Sequence, residues 1–254
     1  YAPSGAGADQ WRNMLPDFVW SGVREPDGHY YSLCLEWVET GVFYNKEVFD
    51  EAGVSADWST WAEFIDAQQA IKDAGYAPLF VNTASGWSTY QWVDDIMTTA
   101  LFSDVVDQMY MDKYIEQYAQ EYAGDHWRTL TNEEVARAIY EGDYTAEDPR
   151  FRRMLELIGE WAEYWIPGFT TINYENGLSA FLSGRVAMAW LGTWSLPQIE
   201  ESAPFDWGVT YLPPLGENVN PDVAQRFADV SFRVGGSSAA AQYGLTTRAE
   251  EDGV

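Results

Sequence analysis

Residues 179–197 read SAFLSGRVAMAWLGTWSLP, and this stretch decides the fold. Gly184 is placed to end a helix, and the apolar residues between it and the next glycine, Gly192, are typical of a short buried strand. A glycine turn at Gly192 then presents Trp194 just before a new helix begins. A buried strand has little reason to display an indole at its end unless something packs on it. We therefore predict that Trp194 contacts a ligand, with packing in the core as the alternative.

Helix signals and strand signals alternate along the rest of the chain. Thr60 and Glu63 form a capping box, in which each side chain satisfies a free N–H group of the other residue. The helix that follows is predicted to end at Gly75, and residues 78–81 then form a short buried strand. Alternation of this kind is typical of an α/β fold. Further helix caps are predicted at Asn45, Asp148 and Asn173, with a second capping box at residues 131–134.

Further local patterns complete the predicted elements. Residues 30–44 predict two extended segments with a polar break at 39–41, because aromatic and β-branched residues dominate on either side. Thr193 or Ser195 is predicted to cap a helix over 196–201. The remaining predicted elements are a helix over 88–102, an edge or penultimate strand over 205–212, and strands over 227–234 and 242–246.

A polar loop follows the strand at 78–81. Residues 82–86 of this loop lie at the carboxyl end of the strand, and in open α/β sheets ligands bind outside the carboxyl ends of strands. Trp87 and Tyr90 come directly out of the loop into the next helix. We predict that Asn82, Trp87 and Tyr90 contact the ligand. The alternatives are a turn role for Asn82 and core packing for one of the two aromatic residues.

Aromatic residues are unusually frequent, with 13 Trp, 16 Tyr and 12 Phe in 254 residues. Most of them are expected to form a Trp-rich core, and Trp161, Trp165 and Trp190 are predicted to belong to it. Several others are expected to line a ligand groove, because aromatic rings pack on the apolar faces of sugars.

The chain is strongly acidic, with 40 Asp and Glu against 14 Lys and Arg and a formal charge of −26. Nucleic acid is excluded as a partner, because binding it requires basic patches. The charge indicates a solvated, self-repelling surface. Extracellular, halophilic and acid environments each fit such a surface.

Cysteine and histidine offer no chemistry of their own. Cys34 is the only cysteine, and His29 and His126 stand far apart, so neither a disulfide framework nor a zinc motif is present. We therefore expect no metal and no cofactor. No run of 18 apolar residues could span a membrane. No signal peptide opens the chain and Tyr1 is not a natural start, so we expect a mature or trimmed piece.

Three segments carry a resemblance to a known family. They are GVFYNKEVFDEAG at residues 41–53, AFLSGRVAMAWLGTW at 180–194 and FDWGVTYLP at 205–213. In this order and spacing they resemble the extracellular (family 1) solute-binding proteins of ABC importers, a group that includes maltose- and other sugar-binding proteins. The resemblance covers residues 30–250.

The resemblance implies an α/β, type II periplasmic-binding-protein-like fold with two lobes, of which mainly the C-terminal lobe is present. Residues 1–40 are expected to be a loop and hinge segment leading from the missing N-terminal lobe. Residues 41–228 are expected to form the C-terminal α/β lobe. Residues 229–254 are expected to be a truncated hinge crossing back towards the N-terminal lobe.

The resemblance also implies a function. The chain would capture a small solute, a mono- or oligosaccharide, between two lobes and deliver it to membrane permease subunits without performing chemistry. It would act as a monomer outside the cell, on the cell surface as a lipoprotein or in the periplasm, attached to the membrane only through an anchor outside this chain. By position, Trp194 resembles the family's sugar-stacking Trp, and Trp87 matches an aromatic that often follows the strand. Glu36, Trp37 and Glu39 lie in the hinge strand, where the family often places a polar ligand contact.

Two other classes of protein fit parts of the sequence. A secreted glycoside hydrolase would use paired carboxylates, and 40 acidic residues supply such pairs by chance. No Gly-x-Ser-x-Gly elbow, His-Glu-x-x-His motif or P-loop is present to support an enzyme. A carbohydrate-binding adhesion module would be an all-β sandwich, and the capped helices argue against it.

Overall fold

The computed structural model describes residues 32–34, 38–84, 88–109, 132–216, 235–236 and 242–244. The chain divides into two compact units. The larger unit contains Glu39–Asp107 and Ala136–Val234, and the smaller unit contains Tyr1–Val38, Gln108–Val135 and Gly235–Val254. The domain boundaries implied by the resemblance remain predictions. In chain order the described elements are β1 (Ser32–Cys34), β2 (Val38–Asn45), α1 (Lys46–Ala52), α2 (Trp61–Asp73), β3 (Ala77–Phe80), α3 (Tyr90–Met109), α4 (Asn132–Glu141), α5 (Pro149–Ala162), α6 (Tyr174–Leu182), β4 (Val186–Gly192), a 3-10 turn (Thr193–Ser195), α7 (Leu196–Ser202), β5 (Trp207–Thr210), β6 (Gly235–Gly236) and β7 (Gln242–Gly244).

The sheet of the larger unit runs in the order β3-β4-β2-β5. β3 is parallel to β4, whereas β2 is antiparallel to both β4 and β5. β5 lies at the end of this order, in line with the edge or penultimate position predicted for it. In the smaller unit, β1 and β7 form an antiparallel pair. The mixture of helices with parallel and antiparallel strands confirms the predicted α/β class.

β4 is an inner strand of this sheet, and every one of its residues is buried. It lies between two strands, and α6 packs against both β3 and β4. An uninterrupted apolar run is the pattern of a strand that is covered on both faces. The prediction of a short buried strand between Gly184 and the turn at Gly192 is therefore confirmed.

The predicted helix caps are present. Thr60 Oγ1 accepts the Glu63 N–H at 3.2 Å, and Glu63 Oε2 accepts the Thr60 N–H at 3.2 Å. Glu63 also accepts the backbone N–H and the hydroxyl of Ser59, and these bonds lower the pKa of the Glu63 carboxyl. The other predicted caps also make their capping bonds. In each, the side chain accepts an N–H group of the first helical turn: Asn45, Asp148 and Asn173.

The polar break predicted at residues 39–41 is wrong, because β2 runs through it without interruption. Gly41 allows close contact between β2 and β5. A Cβ at this position would lie 2.7 Å from Val209 Cγ1 on the neighbouring strand. The missing side chain lets β5 approach β2 closely, and no turn is formed.

The helix predicted over 88–102 is observed as α3, which runs from Tyr90 to Met109. Its backbone leaves helical geometry at Phe102, the predicted end, with φ −117° and ψ 21°. The Arg150 guanidinium lies over the Phe102 ring at 4.6 Å and donates to the Leu101 carbonyl and to Asp104.

Within the described ranges, no helix combines the length and the apolar character needed to cross a membrane.

One predicted strand and one residue of a predicted capping box lie outside the described residues. The strand predicted over 227–234 lies outside them, as does Thr131 of the second capping box, although α4 begins at Asn132. Gln242–Gly244 forms part of the strand predicted over 242–246.

The three tryptophans predicted to lie in the core are buried there. Trp161, Trp165 and Trp190 are 0%, 5% and 1% exposed. Trp161 Nε1 donates to Oε1 of the fully buried Gln68 at 3.3 Å. Trp165 Nε1 is also buried, and it has no hydrogen-bond partner among the described residues. Both indoles are therefore buried, but among the described residues only the Trp161 N–H group has a hydrogen-bond partner.

This difference predicts unequal effects of the same substitution. Trp161→Phe leaves the Gln68 oxygen without its donor, whereas Trp165→Phe removes an N–H group that has no described partner. We expect Trp161→Phe to lower the free energy of unfolding by about 1–3 kcal/mol more than Trp165→Phe. Urea denaturation of both variants measures the difference, and equal losses would contradict the assignment of the hydrogen bond.

A close contact between α6 and β3 gives a second prediction. A Cβ at Gly177 would lie 2.0 Å from the Phe80 ring, whereas a Cβ at Gly159, also in a helix, would meet nothing within 4 Å. Gly177→Ala should lower the free energy of unfolding by about 1–3 kcal/mol through overpacking. Gly159→Ala is the matched control and should raise it by about 0.5–1 kcal/mol, because alanine favours the helix. Similar effects of the two changes on urea denaturation would rule out the close contact.

Candidate functional site

The indole of Trp194 stands at the end of β4. β4 ends at Gly192, and the 3-10 turn that follows carries Trp194 before α7 begins. The indole folds back over Gly192, because a Cβ there would lie 2.1 Å from Cη2 and Cζ3 of the ring. The Gly192 backbone is extended, with φ −87° and ψ 161°, so glycine is needed here for the space it leaves. The Trp194 residue remains 43% exposed.

The indole N–H group makes one hydrogen bond, and a second hydrogen bond holds its acceptor. Trp194 Nε1 donates to Tyr174 Oη at 3.0 Å, and Tyr174 Oη lies 2.5 Å from Ser195 Oγ. An indole N–H can only donate, so the Tyr174 hydroxyl accepts from it and has its own proton available for Ser195. Burial raises the pKa of Tyr174, with the hydrogen bonds to Ser195, Trp194 and the Gly192 backbone acting in the opposite direction.

These contacts correct the prediction that Thr193 or Ser195 caps α7. Ser195 occupies the cap position, but its side chain makes no capping hydrogen bond. Its hydroxyl lies against Tyr174, and Thr193 begins the 3-10 turn. The tertiary contact has therefore replaced the local one.

A second aromatic side chain supports the indole. Trp92 on α3 meets Trp194 edge-on at a centroid distance of 6.0 Å and meets the core residue Trp190 at 5.4 Å. Trp92 is only 6% exposed. Trp194, Trp92 and Tyr174 thus form one group, which we call the Trp194 cluster, and Trp92 connects it to the core.

Glu39 lies beside the Trp194 turn. The Glu39 N–H donates to Thr193 Oγ1 at 3.3 Å, and Thr40, the next residue of β2, pairs with Gly192. Glu39 is partly exposed. The structure thus brings two of the predicted site residues, Glu39 and Trp194, to the same end of the sheet.

Asn82 closes the loop that follows β3. Its Oδ1 accepts the backbone N–H and the hydroxyl of Thr89, each at 3.0 Å, and its carbonyl oxygen accepts from Ser88 Oγ and the Tyr90 N–H. Asn82 is fully buried. In this structure Asn82 therefore holds the loop in place and presents no surface to a ligand.

Tyr90 occupies a different environment from the Trp194 cluster. Its ring stands edge-on to Trp165 at 6.2 Å, and the residue is partly buried. Burial raises the pKa of the Tyr90 hydroxyl, and the nearby Asp94 charge adds to this effect. The other predicted site residues, Glu36, Trp37 and Trp87, lie outside the described residues.

Sequence reasoning missed two members of the Trp194 cluster, Trp92 and Tyr174. Trp92 had a usable signal, since it lies two positions from Tyr90 and must point to a different side of the helix. Tyr174 had none, because its partner lies 20 residues away. In the part of the chain that the structure describes, no group of three or more His, Cys, Asp or Glu residues could hold a metal ion.

Comparisons with known proteins show which family this chain is similar to. The profile of the family described as bacterial extracellular solute-binding protein matches residues 5–243. A multiple sugar-binding protein of Streptococcus mutans is 24% identical over 184 residues, which are 72% of this chain and 38% of that protein.

Solved structures show a similar fold at low identity. A probable secreted solute-binding lipoprotein from Streptomyces coelicolor has a TM-score of 0.60 at 15% identity, with 96% of this chain and 52% of that chain covered. A chitin oligosaccharide binding protein has a TM-score of 0.58 at 17% identity, with 89% and 48% covered. The chain therefore spans about half the length of these proteins, or less.

The likeness confirms the α/β, type II periplasmic-binding-protein-like fold predicted from the sequence. The family match gives no support to a glycoside hydrolase. The profile covers most of the chain and includes the three segments that carry the resemblance. The chain belongs to the bacterial extracellular solute-binding protein family.

Proposed function

We propose that the chain is part of the solute-binding component of an ABC importer and that it binds a mono- or oligosaccharide on Trp194. One observation carries the proposal. Trp194, at the end of the buried strand β4, is 43% exposed, while its indole N–H group already donates to Tyr174. What the indole offers to a ligand is therefore apolar ring surface, which suits the C–H face of a sugar.

The surroundings of Trp194 supply the polar half of a sugar site. Glu39 lies beside the Trp194 turn, and an ionised carboxylate accepts hydrogen bonds from sugar hydroxyls. Tyr90 packs against Trp165 and is not part of the Trp194 cluster, so it remains a predicted contact, as do Glu36, Trp37 and Trp87. Asn82 takes part by holding the loop between β3 and α3. A relative named as a multiple sugar-binding protein and a structural neighbour named for chitin oligosaccharide support a carbohydrate ligand.

Location and partners follow from the family in the same way. We infer that the protein is exported, acts as a monomer in the periplasm or at the cell surface, and hands its ligand to the permease subunits of an importer. The neighbour described as a secreted solute-binding lipoprotein supports this location. The proposed role involves no bond making or breaking.

A thermal-shift screen of mono- and oligosaccharides tests binding, and the sugar with the largest shift serves as the probe. Isothermal titration then gives its dissociation constant, and chromatography of the sugar after long incubation detects turnover. Binding without products is the expected result. Products formed from the probe would favour the glycoside hydrolase alternative.

Trp194→Ala should weaken binding of the probe by about 1–3 kcal/mol, by analogy with the stacking of bases on aromatic side chains. This corresponds to an increase of about 5- to 150-fold in the dissociation constant. Tyr140→Ala is the control, because Tyr140 is 92% exposed on α4 and should leave binding unchanged. A lowered melting temperature with unchanged affinity would instead assign Trp194 to stability.

A further inference from the structure

Trp194 combines an exposed ring with a fixed orientation. A tryptophan that is 43% exposed would ordinarily sample several rotamers, and ordering such a side chain on binding lowers affinity. Here the ring already lies on Gly192, at a position where a Cβ would collide with it. Its edge contact with the buried Trp92 adds a second support. These two contacts are steric, and neither fixes the direction of the N–H group.

Tyr174 supplies the directional contact. It accepts the Trp194 N–H at 3.0 Å, and its hydroxyl is itself held at 2.5 Å from Ser195 Oγ. Ser195 is 3% exposed, so this second bond is shielded from water. Tyr174 is the first residue of α6, a helix capped by Asn173 and packed against the sheet. The acceptor is therefore anchored at its backbone and at its hydroxyl.

We propose that Tyr174 is a positioning residue for the ligand site, which fixes the Trp194 indole before the ligand arrives. The proposal rests on the proposed function and adds a residue to it. Tyr174 acts by accepting the Nε1–H group of Trp194, and the hydrogen bond with Ser195 holds the Tyr174 oxygen in place. Because the N–H group is used in this way, the ligand meets only the apolar surface of the indole. Binding then avoids the ordering of one large side chain.

The first test needs no ligand. Indole ¹⁵N labelling of the protein gives one N–H signal per tryptophan, and the signal lost in Trp194→Phe assigns residue 194. Tyr174→Phe removes the acceptor and keeps the ring. We expect the Trp194 N–H to exchange with water about 2- to 12-fold faster in this variant, which is the effect of one lost hydrogen bond.

The second test measures binding of the probe sugar from the thermal-shift screen. Tyr174→Phe should raise its dissociation constant by about 2- to 12-fold, the effect of ordering one side chain on binding. The binding enthalpy and entropy, measured in the same titration, should show a more unfavourable entropy. Tyr164→Phe is the matched control, because it removes the hydroxyl of another partly buried tyrosine, which donates to Gln69 Oε1 at 3.2 Å. It should change neither the Trp194 signal nor the affinity.

A second variant tests the fixed orientation of the Trp194 indole without changing Tyr174. Gly192→Ala is compatible with the extended backbone, but its Cβ must displace the indole ring. The Trp194 N–H should then exchange faster, and affinity should fall at least as much as in Tyr174→Phe. If Tyr174→Phe does not fold, this variant alone decides between a fixed and an unfixed indole.

The outcomes separate the positioning role from the proposed function. Unchanged exchange of the Trp194 N–H group in both variants would overturn the proposal that the indole is fixed before the ligand arrives. Faster exchange with unchanged affinity would overturn the positioning role and leave Tyr174 as a structural residue. If the unmodified protein binds no sugar of the panel, the proposed function fails together with the ligand-related part of the proposal. The exchange measurement, made without sugar, still decides whether Tyr174 holds the indole.

Discussion

The burial of β4 is the constraint on which the larger unit depends. All seven of its residues are shielded from water, and large side chains from both neighbouring strands and from α6 pack around it, such as Phe43, Phe80 and Phe181. Removing this much apolar surface from water is the main favourable contribution to folding such a unit. A strand buried on both faces cannot shift in register without exposing its side chains or clashing, so its end is fixed in space.

The position of Trp194 follows from that fixed end. The residues after Gly192 leave the sheet in a tight turn, and the indole returns over the glycine to reach Tyr174. Two effects compete at this residue. Full burial of the indole would remove more apolar area from water, whereas the observed position keeps 43% of the residue exposed and satisfies its N–H group. Other indoles of the unit, such as Trp161 and Trp190, are buried almost completely, which makes the exposure of Trp194 distinctive.

The acidic composition plays a different role from the core. Exposed pairs such as Arg137 with Glu141 and Arg153 with Glu160 are worth at most about 1 kcal/mol each, so they do not decide the fold. Arg150 has a more specific task, because it bridges the cap residue Asp148 of α5 and Asp104 beside the break in α3. With 40 acidic residues and 14 basic ones, most carboxylates serve to solvate the surface.

The sequence by itself determined the features whose cause lies within a few residues. The caps of four helices, the buried strand before Gly192 and the display of Trp194 could be predicted, because capping bonds span two to four residues and periodicity is local. The tertiary structure alone decided which residues surround the indole. Tyr174 and Trp92 reach Trp194 only because α6 and α3 are placed against the end of β4. The hydrogen bond between Tyr174 and Ser195 also takes the Ser195 side chain away from its predicted capping role. Gly41 changed from a predicted break to a point of close strand contact for the same reason. Such pairings join residues far apart in the chain, and packing selects them from many partners that the sequence permits equally well.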